Sequence, residues 1–139
     1  MTTTTQEDGT MPTSTTSIST IGLVIIPSTD QDRSIAFYEQ LGFEKRTDVP
    51  FGGDYRWVEV YPPVGTTGIA LAPPREGDPV GVQTGISLQA ADIDATHARM
   101  QADGVDVDPE VMRMGDPVPP MFWFRDPDAN ILLVVEQPA

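Results

Sequence analysis

The hydrophobic pattern begins near Ile18 and is broken into short runs by proline and glycine. Ile21 to Ile26 is an apolar, β-branched run closed by Pro27, the pattern of a buried strand. Thr29-Asp30-Gln31-Asp32 then offers capping side chains. Ile35, Tyr38 and Leu41 follow at helical spacing, and Gly42 stops the helix, which places it near 31–41. Phe43 to Thr47 reads as a short strand. Asp54 to Tyr61 alternates and ends at Pro62-Pro63, and Gly68 to Ala72 ends at Pro73-Pro74; both predict strands.

The same order then recurs. Gly85 to Ala90 predicts a strand, Asp92 caps a helix from Ile93 to about Asp103, and Gly104 stops it. Val105 to Val107, Met121 to Arg125 and Ile131 to Glu136 complete the set, with Asp126-Pro127-Asp128-Ala129-Asn130 as a turn. An offset of 62 residues pairs Asp30 with Asp92, Asp32 with Asp94, Gly42 with Gly104, Val24 with Ile86, Ile26 with Leu88 and Leu71 with Leu133. Matched caps, stops and strands predict an α+β fold of two β-α-β-β-β modules. They occupy 18–75 and 82–137 of one domain over 18–139. Residues 1–17 are mostly Thr and Ser, too poor in apolar surface to offset their ordering entropy, and are expected to be a disordered tail. Met11 is an alternative start within it.

Composition removes several classes of function. Of 139 residues, 8 are Lys or Arg and 21 are Asp or Glu, a net charge of −13 that repels nucleic acid and anionic lipid. No segment approaches the roughly 18 apolar residues of a membrane span. The start, with Glu7 and Asp8 and no basic residue, lacks the pattern of a secretory signal, so the cytoplasm is the expected location. The absence of cysteine excludes disulfides, thiolate metal sites and a Cys nucleophile. The one histidine, His97, falls on the second helix, where a satisfied structural role is expected. Gly52-Gly53 is not followed by Lys-Ser/Thr and a helix, so no phosphate loop is present.

The stretch Thr29 to Tyr38, the ending Leu41-Gly42-Phe43, and Phe124-Arg125-Asp126-Pro127-Asp128-Ala129-Asn130 together resemble the vicinal oxygen chelate superfamily. That superfamily includes glyoxalase I, bleomycin-resistance proteins and extradiol dioxygenases, and the resemblance covers about residues 20 to 137. It implies two modules curled into an incompletely closed barrel around a ligand cavity, and a homodimer. Enzymes of the family hold a divalent metal with residues on the first and last strand of each module. The matching positions are Leu23 and Gly85, then Leu71 and Leu133. None supplies a lone pair for a metal, and neither do their immediate neighbours, so no metal and no cofactor are expected.

Strand alternation predicts what the cavity contains. With Leu23, Leu71, Gly85 and Leu133 inward, Ile25, Ser87, Gln89, Ile131 and Val135 share that face. Val58 and Val60 form the apolar side of their strand, which turns Tyr55, Trp57, Glu59 and Tyr61 inward. The parity of Met121 to Arg125 is ambiguous, and Trp123 is preferred inward. The predicted ligand contacts are Leu23, Ile25, Tyr55, Trp57, Glu59, Leu71, Gly85, Ser87, Trp123 and Leu133. Two roles fit Trp57 and Trp123: ligand contact, or filling of core or dimer interface. Two fit Glu59: a solvated or Arg56-paired strand residue, or a general base or anchor among apolar walls. Metal-independent binding of a small apolar or aromatic molecule is the leading expectation, as in the family's resistance members. The alternatives are an enzyme acting through Glu59, a metal enzyme of the family type, and a regulatory module with a vestigial cavity.

Overall fold

The structure is a computed structural model in which residues 15–138 are described. Residues 1–14, which hold most of the expected tail and Met11, lie outside the described residues. The element order is β1 (Leu23–Pro27), α1 (Gln31–Gln40), β2 (Glu44–Pro50), β3 (Arg56–Tyr61) and β4 (Gly68–Ala72), then β5 (Gln83–Ala90), α2 (Ile93–Ala102), β6 (Asp106–Val107), β7 (Met121–Arg125) and β8 (Ile131–Glu136). The β-α-β-β-β unit occurs twice, as the capping and stop signals require.

Local chemistry starts and ends both helices. Asp30 and Asp92 each accept a hydrogen bond from the backbone N–H three residues on, at 3.0 Å. Gly42 and Gly104, both at positive φ, let the chain leave the helix where an L side chain would be strained.

The strands form two separate four-stranded sheets, ordered β1-β4-β3-β2 and β5-β8-β7-β6. In each, the first strand pairs parallel with the last, and the rest are antiparallel. Each sheet has one face turned to the helices. Ile26, Val58, Val60, Ile69, Phe122, Phe124, Leu132 and Val134 are buried there in a core shared with Ile35, Tyr38, Ile93 and Met100. The core runs through both modules: the Phe37 ring of α1 lies 6.3 Å from that of Phe124. The opposite face of each sheet carries no helix.

Pairing register corrects one expectation. Leu71 stands opposite Ile26 on the helix-side face and is 1 % exposed, so it belongs to the core and not to the open face. The offset of 62 holds from β1 to β5 and from α1 to α2. Between the last strands it becomes 63: Ile25 pairs with Ala70, whereas Ser87, the counterpart of Ile25, pairs with Leu133. One extra residue reverses the face of every side chain on a strand. Ala70, not Leu71, is therefore the counterpart of Leu133.

Candidate functional site

The open face of the first sheet has a row running across four strands, Thr47–Glu59–Ala70–Ile25. Leu23, Trp57 and Tyr61 flank it by alternation along their strands. Glu59 is the row's ionisable group, and its carboxylate is held on both oxygens. Trp57 Nε1 donates to Oε2 at 2.6 Å and Tyr61 Oη donates to Oε1 at 2.7 Å. Arg46 lies over the Tyr61 ring, 4.7 Å from its centroid. The hydrogen bond to Glu59 raises the Tyr61 phenol above its usual value, so that it stays protonated and donating.

Gly68 makes this arrangement possible. It faces Tyr61 across the sheet, and a Cβ there would come within 2.6 Å of the ring. Arg56 points to the other side, where it reaches Asp48 at 2.8 Å and Asp32 at 2.9 Å. The expectation that Glu59 is paired with Arg56 is thus corrected: alternation separates neighbours in sequence, and Glu59 takes its donors from positions two away.

The second sheet has the matching row, Trp123–Leu133–Ser87, with Met121–Val135–Gln89 beside it. The ambiguous parity of β7 is thereby resolved, because Phe122 and Phe124 are fully buried and Trp123 is on the open side. Gly85 lies on the same strand as Ser87, at a register shift and with a φ of 71°. Tyr55 precedes β3 at the hairpin end. Its ring sits 5.8 Å from Phe51, which in turn meets Trp57 edge-on at 6.4 Å.

The structure therefore brings Leu23, Ile25, Trp57 and Glu59 onto one open face and Ser87, Trp123 and Leu133 onto the other, with Tyr55 at the first sheet's rim. Of the other two expected contacts, Leu71 lies in the core and Gly85 at the register shift of β5. In this single chain the faces are uncovered: Ile25 is 62 % exposed. Phe51 and Arg46 were missed by sequence reasoning, since a residue beside a Gly-Gly turn and one at a β-bulge carry no alternation signal.

His97 is buried, with Nε2 2.7 Å from the carbonyl of Asp108 and its ring 4.8 Å from Phe122. Its role is structural.

The donor set does not fit a divalent metal. Leu23, Ala70, Gly85 and Leu133, on the first and last strands of the two modules, have no side-chain lone pair to replace a hydrating water. Among the described residues no group of three or more His, Cys, Asp or Glu side chains is placed to hold one.

This fold has counterparts in known proteins. Residues 20–134 match the Glyoxalase/Bleomycin resistance protein/Dioxygenase superfamily. The chain belongs to that superfamily. It is 31 % identical to the crystal structure of TnmS3, an antibiotic-binding protein from Streptomyces sp. CB03234, with a TM-score of 0.75 over 88 % of this chain and 99 % of that one. A member of the superfamily from Sphaerobacter thermophilus is 35 % identical, with a TM-score of 0.74 over 86 % and 98 %. The Bacillus subtilis protein YetH is 30 % identical over 124 residues, 86 % of this chain and 99 % of YetH. Among the described residues no helix is long and apolar enough to cross a membrane.

Proposed function

We propose that this member of the superfamily binds a small, flat, largely apolar or aromatic molecule between open sheet faces, without a metal. The observation that carries the reading is the pair of indole-bearing rows: Trp57 beside a doubly anchored Glu59, and Trp123 beside Leu133 and Ser87. Indole faces supply area and stacking, while Glu59 and Ser87 supply direction. Glu59 is pre-positioned, since both oxygens are already tied to donors on its own strand. Each oxygen retains a lone pair for a ligand N–H or O–H. The likeness to an antibiotic-binding protein supports sequestration over turnover.

The uncovered faces favour a homodimer in which a second copy completes the cavity. An apolar sheet face with Ile25 largely exposed is a surface that association would bury. A cytoplasmic protein of this kind would need no partner other than its ligand and its second copy.

Native mass spectrometry with elemental analysis of the full chain tests the reading. Expected are a dimer mass, no stoichiometric metal, and one-to-one uptake of an aromatic polyketide antibiotic that a chelator leaves unchanged. Stoichiometric divalent metal, or uptake abolished by chelation, would overturn it.

A further inference from the structure

The two modules meet at two pseudo-equivalent joints, and these are built differently. At the first, α1 meets the turn between β7 and β8, and polar side chains close it. Tyr38 Oη donates to Asp126 Oδ2 at 2.8 Å, and Asn130 Nδ2 donates to the Pro27 carbonyl at 2.8 Å. Thr29, Arg33 and Ser34 all converge on the Asp128 carboxylate.

At the second joint, α2 meets the turn between β3 and β4. The offset of α1 to α2 puts Met100 in place of Tyr38, Ala95 of Arg33, Thr96 of Ser34 and Ala91 of Thr29. Strand pairing puts Pro62, Val64 and Thr67 in place of Asp126, Asp128 and Asn130. Every group that closes the first joint has become apolar, small or a lone hydroxyl. Among the described residues no hydrogen bond or ion pair crosses this joint. In its place is a cleft of about 1140 Å³, and all seven replacement residues line it.

We infer that this cleft is a second ligand site, distinct from the open sheet faces. It would take an uncharged, mainly apolar small molecule carrying one hydrogen-bonding group. Its volume lies just above the roughly 300–1,000 Å³ of small-molecule pockets. Its inner wall is core surface, with Val24, Ile69, Leu88 and Phe124 forming part of it. The charges at its mouth are committed: Arg99 is paired with Asp103 at 2.9 Å, and Asp92 caps α2. Among the described residues lining the cleft no unpaired cation remains for an anion, which the net charge of −13 also repels. Thr96, half-buried in the wall, has a hydroxyl with no partner among the described residues, whereas Ser34, its counterpart, bonds to Ser28 and Asp128. That hydroxyl is the point of direction.

The test uses the full chain and a neutral fluorescent probe, N-phenyl-1-naphthylamine. Ala95→Phe fills the cleft from α2. Ala98→Phe, on the exposed side of the same helix, is the control, and both are made in a Trp57→Ala/Trp123→Ala background, which removes the stacking rings of the open faces. Expected is one probe per chain in that background, with affinity at least tenfold weaker when Ala95→Phe is added and unchanged when Ala98→Phe is added. Thermal melts establish folding, and Thr66→Trp, from the opposite wall, replaces Ala95→Phe if that variant does not fold. Unchanged affinity in the cleft-filling variant, or no probe binding in the background, would overturn the proposal. Binding that appears only after deletion of residues 1–14 would assign the cleft to the chain's own N-terminal segment and overturn it as well.

Discussion

The Tyr38 hydroxyl donates to Asp126 at 2.8 Å, tying the helix of the first module to the last turn of the second across 88 residues of chain. Both groups are buried, and Asp126 also accepts from the backbone N–H of Asp128 and Asn130 and from the Asn130 amide. The carboxylate is thus satisfied without a cation, and the phenol is one of its four donors.

Burial, and then the nearby Asp126 charge, hold the Tyr38 phenol well above the usual tyrosine range. The folded pKa is raised, so this contribution to stability is fully present below pH about 10 and lost as pH rises beyond it. Tyr38→Phe should cost about 1–3 kcal/mol at neutral pH, because the buried carboxylate loses a donor. Urea unfolding across pH 7–11 checks both points: the gap between wild type and variant should narrow at the alkaline end.

Register separates Leu71 from Leu133. Leu71→Ala should destabilise by about 2–5 kcal/mol, the range for a buried leucine, and leave ligand affinity per folded molecule unchanged. Leu133→Ala should cost less stability and alter ligand fit. Thermal melts and titration of the two purified variants would show the split, and the reverse outcome would contradict the pairing of Ile26 with Leu71.

Glu59→Gln replaces two charged acceptors by one neutral acceptor and one donor, so Trp57 keeps a bond to the amide oxygen only if Tyr61 turns from donor to acceptor. Ligand affinity should fall about 10–100-fold, as expected for a lost charge-assisted hydrogen bond of about 1.5–3 kcal/mol. The Tyr61 phenol, no longer beside an anion, should titrate at lower pH. Ultraviolet difference titration reads this second effect independently of any ligand.

At the acid end, hydrogen bonds from Arg56 and then Lys45 hold the Asp48 carboxyl well below the usual carboxylate range. A lowered folded pKa means stability that is present above pH about 4 and lost as pH falls through the folded value. Asp48→Asn should flatten the acid limb of a stability–pH curve, by less than about 1 kcal/mol for so accessible a pair.

The repeat, both helices and every strand were legible along the chain, because caps, glycine stops, proline breaks and alternation act within a few residues of where they are read. β2 extends to Pro50, beyond the apolar signal at Phe43 to Thr47, since pairing with β3 carries polar residues into the ladder. Alternation placed Trp57 and Glu59 on the side opposite Val58 and Val60, whereas Ser87, Trp123 and Leu133 were placed with the help of the family resemblance. Leu71 was misassigned because a residue's face depends on its partner strand, and one residue of extra length between repeats is invisible until the strands pair. Glu59's partners and the contrast between the two joints were likewise decided only in three dimensions. Tyr38 meets Asp126, whereas Met100, its counterpart, packs in the core beside the cleft, because groups remote in sequence become neighbours when the helix-side faces close on a common core.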